Sequence, residues 1–506
     1  MAHRLLRPSA LRSGRHASRG QHNAHSQTSL LHSVVRAYST AVPAASEPWD
    51  VVIVGGGIVG AALACGLGAS PLTRNKRIAL VESSDLSKVQ AWAPVPQSYS
   101  SRTVSITPGS YQLLKQYGVW DHIELSRTQT YTNMAVWDAV GQGQVHFGTQ
   151  DLGLSQEQPM AWIMENLNLH RAALRTLADA CPGVTLFDPT KVESIQRPAL
   201  DLAQTEPGPM MDWPRVKLST GQTLMTRLLI GADGARSPVR QFAKIDAAGW
   251  SYPQHGIVGI LKATAQTAPQ SDWVWQRFLP TGPVALLPLP GEHMALVWSM
   301  DSRFAAYLKQ LPDEAFTIAL NAAIHLPVEH LEFVLQQLQA TNGQLDPVLL
   351  DDLMHRAKLI GASGSGGISP PLIAGVEPQS RASFPFRLQH ADRYVDQRLV
   401  LIGDAAHTIH PLAGQGLNLG LADVASLVPT LEQAVATGQD LGDYNGLLGY
   451  ASARYAPNLA MLGSVDKLQK LFSTGWGPVA TVRSLGLNIV NHIPRLKREL
   501  VKTAML

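Results

Sequence analysis

The stretch WDVVIVGGGIVGAALACGL, residues 49–67, decides the fold of this chain. A short β-branched run meets a cluster of glycines, and a small-residue apolar segment follows, so the pattern predicts a strand, a tight turn and a helix. Gly55, Gly57 and Gly60 occupy the G-x-G-x-x-G positions. Such glycines form the turn, let the backbone approach a pyrophosphate and pack the helix closely, while the helix N-terminus faces the phosphates.

A second predicted strand, RIALVES at residues 77–83, completes a βαβ unit and carries Glu82 near its end. A carboxylate at that position accepts hydrogen bonds from ribose hydroxyls. No arginine follows Glu82 to bind a 2′-phosphate, which disfavours NADP. A glycine turn without a nucleotide is the alternative, and the complete βαβ context disfavours it.

A similar strand–turn–helix pattern occurs in RLLIGADGARSPVRQF, residues 227–242. Asp233 and Gly234 stand at its corner, and Ser237 is the predicted N-cap of the helix. Alone, this segment has an ordinary structural explanation. It becomes informative only together with the other motifs.

The third such segment, RLVLIGDAAHTIHPLAGQGLNLGLADVASL at residues 398–427, contains Asp404, His407 and His410 at three-residue intervals. That spacing would permit a zinc or non-haem iron site. However, an apolar strand precedes Asp404 and a helix is predicted to begin near Gly416. These surroundings favour a cradle for a flat cofactor, so we predict no metal.

Composition excludes several classes of protein. The 506 residues are 45% apolar and 16% charged, which is typical of a globular protein with two or three domains and does not suggest nucleic-acid binding. Cys65 and Cys181 are too few for a disulfide framework and are predicted to be buried. No apolar run of about 18 residues is present, so peripheral membrane contact is the form of attachment left open.

The first 46 residues differ from the rest, since they are rich in serine and contain no acid. They hold six arginines: Arg4, Arg7, Arg12, Arg15, Arg19 and Arg36. This composition predicts a mitochondrial transit peptide, cleaved after Tyr38 in RAYST. A disordered, RNA-binding basic tail is the alternative.

Together, the motifs resemble the fingerprints of the FAD-dependent aromatic hydroxylases. The pattern Asp-Gly-x-x-Ser-x-Val-Arg begins at Asp233, and Gly-Asp-Ala-Ala-His-x-x-x-Pro-x-x-Gly-Gln-Gly-x-Asn begins at Gly403. The resemblance implies an α/β fold: a three-layer, Rossmann-like FAD domain of the glutathione-reductase type, an inserted mostly-β substrate domain and C-terminal helices. It covers nearly the whole chain after residue 48.

The resemblance also implies roles for individual residues. Asp404 would bind the ribityl chain, Arg102 would lie near the pyrophosphate, and His407 would position the loop. The reactive side of the flavin would be lined by Pro411, Gly414 and Gln415. The full set implied to bind FAD is Gly55, Gly57, Gly60, Glu82, Arg102, Asp233, Gly234, Gly403, Asp404, Gly414, Gly416 and Asn418.

Two longer segments, at residues 100–123 and 275–289, resemble the ubiquinone-biosynthesis branch of this family. That likeness implies hydroxylation at C5 of a polyprenyl-4-hydroxybenzoate ring with O2, through a flavin C4a-hydroperoxide. It also implies ferredoxin as electron donor, a multi-enzyme assembly, and a peripheral place on the matrix side of the mitochondrial inner membrane. The alternatives are an NAD(P)H-dependent hydroxylase of another phenol, a flavin halogenase suggested by WVWQRFLP at 273–280, and a non-catalytic relative that binds prenylated protein.

The family architecture predicts a division of the chain. We expect a transit peptide at 1–46, FAD-domain parts at 47–130, 161–245 and 396–475, substrate-domain parts at 131–160 and 246–395, and a C-terminal helical segment at 476–506. Strands are predicted at 256–263, 282–300 and 383–395, and loops at 199–214 and 361–375.

The C-terminal stretch TVRSLGLNIVNHIPRLKREL, residues 481–500, spaces its apolar residues at nearly helical period. Arg495, Lys497 and Arg498 follow, so contact with anionic lipid is one interpretation. A helix packed on the fold is the other. In both, Pro494 interrupts the helix.

Overall fold

The computed structural model describes residues 48–499 except 142, 154, 156–157, 198–211, 265–271, 345, 363–368, 475–476, 494 and 496. The predicted transit peptide at 1–46 and most of the predicted loop at 199–214 lie outside these residues. Both cysteines are buried, as predicted.

The described residues form both strands and helices. The strands are β1 (Trp49–Val54), β2 (Ile78–Val81), β3 (Thr103–Ile106), β4 (Thr128–Tyr131), β5 (Asn133–Asp138), β6 (Gln144–Gly148), β7 (Ala161–Glu165), β8 (Val184–Phe187), β9 (Val192–Gln196), β10 (Arg215–Leu218), β11 (Thr223–Gly231), β12 (Ala247–Ala263), β13 (Trp273–Leu279), β14 (Gly282–Pro288), β15 (His293–Asp301), β16 (Ile373–Val376), β17 (Ala382–Ala391), β18 (Val395–Asp396), β19 (Leu399–Leu401) and β20 (His407–Thr408). The α-helices are α1 (Ile58–Ala69), α2 (Ser87–Gln90), α3 (Pro108–Gln116), α4 (Asn166–Ala180), α5 (Pro238–Phe242), α6 (Ser302–Gln310), α7 (Asp313–His325), α8 (Val328–Ala340), α9 (Pro347–Ala362), α10 (Gly416–Ala436), α11 (Tyr444–Phe472) and α12 (Gly477–His492).

A mainly parallel sheet carries the three motifs. Its strand order is β18-β19-β11-β1-β2-β8, with β10 and β9 added beside β11. Because β1, β2, β11 and β19 pair in parallel, their carboxyl ends meet at one edge of the sheet. Val52, Ile53 and Leu80 are fully buried, as expected of strands covered by helices on both faces. The α/β, Rossmann-like part of the predicted fold is confirmed.

A second sheet is mostly antiparallel and has the order β20-β17-β12-β15-β14-β13-β5-β6, with β16 beside β12. The strands predicted at 256–263, 282–300 and 383–395 correspond to β12, to β14 with β15, and to β17. β5 and β6 join this sheet through the parallel pairing of β5 with β13. The predicted mostly-β character is confirmed, whereas the segment boundaries stay a prediction.

Helices α6 to α9 cover one face of the second sheet, and local sequence patterns did not predict them. The prediction of a loop at 361–375 is wrong in part, because α9 continues to Ala362 and β16 begins at Ile373. Residues 363–368 of this predicted loop lie outside the described residues. The amide of Asn321 on α7 binds the N–H of Ile373 at 3.0 Å and its C=O at 2.9 Å. This buried long-range contact fixes the position of β16, and no local sequence pattern predicts it.

Helix α12 packs one face against the edge strand β6. The side-chain oxygens of Asn488 and Asn491 accept hydrogen bonds from the backbone N–H groups of Gln144 and His146, each at 3.2 Å. The helix ends before Pro494, as predicted. No helix in the described ranges is long and apolar enough to cross a membrane.

A buried ion pair fastens the same helix. Arg483 donates to both carboxylate oxygens of Asp138, at 2.7 and 2.8 Å, and to the carbonyl of Thr474 at 2.6 Å. A Cβ on Gly143 would lie 2.6 Å from Cα and 3.0 Å from the carbonyl oxygen of Ser484, so the close approach of helix and hairpin requires glycine there. One face of α12 is therefore packed on the fold, as the second interpretation of the C-terminal segment predicts.

Candidate functional site

The glycine turn after β1 combines two crowded positions with an open one. Gly55 has φ +108°, and a Cβ on it would lie 2.3 Å from the carbonyl oxygen of Ala232. A Cβ on Gly60 would lie 1.9 Å from the carbonyl oxygen of Gly55. A Cβ on Gly57, the N-cap of α1, would have no atom within 4 Å, and no side chain caps the helix. The first N–H groups of α1 can therefore bind an anion.

Glu82 directly follows β2 and lies beside this turn. Its Oε2 accepts a hydrogen bond from the N–H of Gly56 at 2.8 Å, and its Oε1 accepts one from the N–H of Ser84 at 2.7 Å. The carboxylate is half-buried and keeps lone pairs for sugar hydroxyls. His170 on α4 also contacts the turn, since its Nε2 lies 2.7 Å from the carbonyl oxygen of Gly56. The sequence analysis did not identify His170, because no motif around this residue indicates that it contacts the glycine turn.

The second motif turns at Asp233 and Gly234, which has φ +81°. Oδ2 of Asp233 accepts a hydrogen bond from the N–H of Val239 at 3.1 Å, and Ser237 caps α5 as predicted. Oδ1 of Asp233 is buried and has no partner among the described residues. Desolvation raises the pKa of this carboxyl group. A buried, unpaired oxygen at this edge of the sheet is suited to an additional donor.

Asp404 lies just beyond β19, after Gly403 with φ +57°. Its carboxylate is accessible yet surrounded by protein, and desolvation raises its pKa. The carboxylate makes no hydrogen bond to any residue that the structure describes. It therefore stands at the carboxyl edge of the sheet with its acceptor sites available.

The loop between Asp404 and α10 contains a 3₁₀ turn, Pro411–Ala413. Gly414 follows with φ +63° and open space at its Cβ position. Gln415 is buried, and α10 begins at Gly416 as predicted. A Cβ at Gly416 would make only an ordinary 3.6 Å contact with Ile409. Gly414 is thus the position where this loop needs glycine.

Asn418 and Arg102 occupy contrasting environments. Asn418 is buried; its Oδ1 accepts hydrogen bonds from Thr107 and Ser110, and its Nδ2 donates to the carbonyl of Ser105 at 2.8 Å. Its side chain ties α10 to the β3–α3 connection, which leaves only its backbone to face a ligand. Arg102 precedes β3 with an exposed side chain, and it forms no ion pair within the described residues.

Comparisons with known proteins define the family. A protein-family model described as an FAD-binding domain matches residues 48–333 and 368–457 of the sequence. The chain is 38% identical to "Ubiquinone biosynthesis monooxygenase COQ6, mitochondrial" of Danio rerio, over 91% of this chain and 90% of that protein. It is 37% identical to the Homo sapiens protein of that name, with 90% and 92% covered, and 36% identical to that of Saccharomyces cerevisiae, with 93% and 96% covered. The chain belongs to the FAD-binding ubiquinone-biosynthesis monooxygenases.

Solved structures share the fold of this monooxygenase family member. The Pseudomonas aeruginosa pqsL structure, described as a probable FAD-dependent monooxygenase, is 20% identical with a TM-score of 0.59, covering 87% of this chain and 99% of that chain. The Klebsiella pneumoniae R204Q HpxO structure, complexed with FAD, is 16% identical with a TM-score of 0.59, covering 90% and 99%. The predictions of FAD as cofactor and of an FAD-dependent aromatic-ring monooxygenase are confirmed.

The monooxygenase site fits FAD on three structural observations. Open space at Gly57 adjoins the free N-terminus of α1, Oδ1 of Asp233 lacks a described partner, and open space adjoins Gly414. Glu82 and Asp404 add carboxylates beyond the carboxyl ends of β2 and β19, at the same edge of the sheet. The segment WVWQRFLP, which suggested a halogenase, supplies β13 inside the second sheet.

A buried network centred on Asp423 supports the third motif, and sequence reasoning missed it. Oδ2 of Asp423 accepts hydrogen bonds from the N–H of Gly403 at 2.9 Å and from Nε2 of His407. Oδ1 accepts from Arg454 at 2.9 Å and from Asn458 at 3.1 Å. Burial would raise the pKa of Asp423, but His407 and Arg454 outweigh that effect and leave it below its ordinary value. The sequence does contain one signal of this network, because Asp423 is an acidic residue on the apolar face of the predicted helix.

His410 has a different environment from His407. Its Nδ1 accepts a hydrogen bond from the N–H of Leu412 at 3.1 Å, and its ring packs edge-on against Tyr252 and Phe386 at 4.9 and 4.5 Å. Nε2 is buried without a partner in the described part of the chain. Desolvation lowers the pKa of His410 to about 4. The histidine is therefore a neutral, buried support for the loop.

His410→Asn should flatten the acid side of the stability profile while leaving flavin content nearly intact. Because the folded-state pKa lies below the unfolded value of about 6.5, the unfolded chain binds the extra proton, and stability falls as pH falls between the two values. Between pH 7 and pH 5 this one group should remove about 2 kcal/mol from the wild type. Urea unfolding at both pH values measures the difference. An exposed control, His355→Asn, should keep the wild-type slope; an equal slope in both variants would contradict the assignment.

Proposed function

We propose that this monooxygenase hydroxylates C5 of the ring of a polyprenyl-4-hydroxybenzoate-type intermediate in ubiquinone biosynthesis. The observation that carries the proposal is the 36–38% identity to ubiquinone biosynthesis monooxygenases over about nine-tenths of both chains. The FAD site on the three motifs supports it. In such a reaction one oxygen atom of O2 enters the ring and the other leaves as water, so each turnover needs two electrons.

The proposed roles of the chain's residues follow from their positions. The N-terminus of α1 at Gly57 would hold the pyrophosphate. Arg102 would neutralise it, a role that rests on the family resemblance. Glu82 would bind ribose hydroxyls and Asp404 the ribityl chain. Oδ1 of Asp233 is a further proposed contact. The remaining ones come from backbone at Gly55, Gly60, Gly234, Gly403, Gly416 and Asn418.

The loop before α10 would bind the flavin ring. Pro411, Gly414 and Gln415 would lie along its reactive side, where the lack of a Cβ at Gly414 permits close approach. The N-terminus of α10 would stabilise negative charge on the reduced ring. Bound FAD supplies the activation of O2. The protein orients the phenol and keeps water out, so no side-chain acid or base is assigned.

For the electron donor we propose a ferredoxin with its reductase. The likeness to the ubiquinone-biosynthesis monooxygenases supports this donor. The sequence also contains no second dinucleotide fingerprint, since the glycine-rich run at 361–375 leads to prolines 370 and 371, where a helix would have to begin. Family members that use NAD(P)H lack a second fingerprint too, so this absence does not decide the donor. The test is anaerobic stopped-flow reduction of the holoenzyme. Rapid loss of flavin absorbance with reduced ferredoxin and slow loss with NADPH alone are expected. Rapid reduction by NADPH alone would favour the NAD(P)H-dependent alternative.

We further propose that the enzyme works in mitochondria, peripherally on the matrix side of the inner membrane, beside other ubiquinone-biosynthesis enzymes. The names of the relatives, the arginine-rich leader and the likeness over the rest of the chain support the compartment. The substrate's polyprenyl tail is a reason for membrane contact.

Depletion of the protein in its own cells tests the substrate assignment. Mass spectrometry should find an accumulated prenylated phenol that lacks the C5 hydroxyl, together with loss of ubiquinone. Re-expression of the wild type should remove this compound, and Asp404→Ala, which is expected to lose FAD, should not. Accumulation of an unprenylated phenol, or of none, would contradict the proposal.

A further inference from the structure

Helix α12 presents apolar side chains to solvent on the face opposite the one that packs. Four residues at the spacing i, i+3, i+7 and i+11 form this outer stripe, and they are 69%, 60%, 43% and 45% exposed: Val482, Leu485, Ile489 and Ile493. The inner face carries Arg483, Ser484, Asn488 and Asn491, which bind the second sheet. A surface helix ordinarily turns polar side chains outward, so four exposed apolar side chains on the outer face indicate a surface that is covered in use.

The charges around the outer stripe are mainly positive. Residues 467–499 contain one acid, the exposed Glu499. They contain six basic residues: Lys467, Lys470, Arg483, Arg495, Lys497 and Arg498. Lys470, Arg483 and Lys497 form ion pairs with acids outside this segment, whereas the other three form no ion pair within the described residues and can face an external anion. Protein interfaces usually mix charges at their rim, whereas an apolar stripe edged mainly by cations matches an anionic lipid surface.

An exposed tryptophan lies beside the end of α11, the helix that precedes α12. Trp250 on β12 is 47% exposed, and Nζ of Lys470 lies 4.9 Å from the centre of its ring. Leu468 and Leu471, on the last turns of α11, are also exposed. Tryptophan beside lysine is the pair that membrane proteins place at the level of lipid headgroups.

Helix α12 also adjoins the proposed flavin loop. Leu487 and Val490 pack against an apolar cluster that contains Phe278 and Phe472, whose rings stack at 4.0 Å. Leu412, from the 3₁₀ turn proposed to lie along the flavin, packs against the same cluster. One helix thickness, about 10 Å, therefore separates the outer stripe from the cluster that supports the reactive loop.

We infer that the outer stripe of α12 and its flanking cations dock the enzyme onto an anionic lipid bilayer. The inference rests on the proposed function, because a polyprenyl tail held in a bilayer is what this orientation would serve. With α12 on the bilayer, the reactive loop lies close to the lipid surface, and a substrate ring reaches it while the tail remains among the acyl chains.

An environment-sensitive fluorophore tests the docking directly. Cys65 and Cys181 are buried, so a nitrobenzoxadiazole label on the full-length Leu485→Cys holoenzyme reports one site. With phosphatidylcholine vesicles that contain cardiolipin, its emission should shift to the blue and rise several-fold; the label on Val348→Cys, a position 78% exposed on α9, should not respond. No response at Leu485→Cys, or the same response with pure phosphatidylcholine vesicles, overturns the inference. A response to matrix proteins but not to vesicles identifies a protein interface and also overturns it.

A substitution that removes the stripe provides the second arm. Val482→Ser/Leu485→Ser/Ile489→Ser should lower the vesicle-bound fraction by more than about tenfold in flotation. Val348→Ser should float like the wild type, and retained FAD absorbance shows that each variant is folded. Equal flotation of the triple variant contradicts the inference. Because none of these readouts depends on hydroxylation, failure of docking is distinguishable from failure of the proposed substrate.

Discussion

Gly57→Val should abolish FAD retention in a chain that still folds. The Cβ position of Gly57 has no atom within 4 Å, and its φ of −65° and ψ of −179° suit a β-branched residue. The added side chain would nevertheless occupy the space from which α1 N–H groups reach the pyrophosphate. Loss of two hydrogen bonds to a charged group costs about 3–6 kcal/mol, so FAD affinity should fall by two orders of magnitude or more.

Flavin absorbance after gel filtration and calorimetric titration of the apoprotein with FAD measure this loss, and circular dichroism measures folding. Gly449→Ala, an equally open position on α11, should bind FAD normally. In contrast, Gly60→Val should prevent folding, since its Cβ would meet the Gly55 carbonyl at 1.9 Å. If Gly57→Val binds FAD like the wild type, the pyrophosphate does not lie at α1.

Asp423→Ala should destabilise the fold more than any surface substitution. It would leave Arg454, His407 and the N–H of Gly403 without their buried acceptor, and removal of one partner of a buried ion pair costs about 3–5 kcal/mol. FAD content should fall with stability, because Gly403 positions Asp404. Urea unfolding measured with and without added FAD separates the two effects.

The pH dependence of this effect has a definite sign. The folded-state pKa of Asp423 is lowered, so its contribution is present above the unfolded value of about 3.9 and is lost only as pH falls through the folded value. The deficit of Asp423→Ala should therefore not shrink between pH 7 and pH 5. Asp179→Ala, with a side chain 65% exposed, is the matched control and should cost less than about 1 kcal/mol. A deficit no larger than this control would refute the structural role of the network.

Local patterns predicted the cofactor cradle because its requirements are local. Gly55 and Gly60 are needed for contacts within one strand–turn–helix, and Glu82 and Asp404 follow directly from the ends of apolar strands. The family resemblance added the mostly-β insertion. These features depend on spacing, and spacing is visible in a single chain.

The long-range hydrogen-bond partners of buried polar side chains could not be predicted from the sequence. Asn418 matched a cofactor position, yet its side chain is used by residues more than 300 positions earlier. Asn321 binds the backbone of β16, a strand that begins inside the predicted loop. Asp423 accepts hydrogen bonds from donors on three structural elements. In each case a buried polar group takes whichever partner the tertiary fold brings near, and no periodicity encodes that partner.

The two asparagines that cover strand β6 have a consequence for protein quality control. Asn488 and Asn491 satisfy N–H groups at the open edge of the second sheet, which would otherwise be free to recruit a strand from another molecule. A chain that stops before residue 477 would keep every flavin motif and yet expose this edge. Such a product should self-associate and be degraded, so a late stop codon would act as a loss of protein rather than as a loss of catalysis.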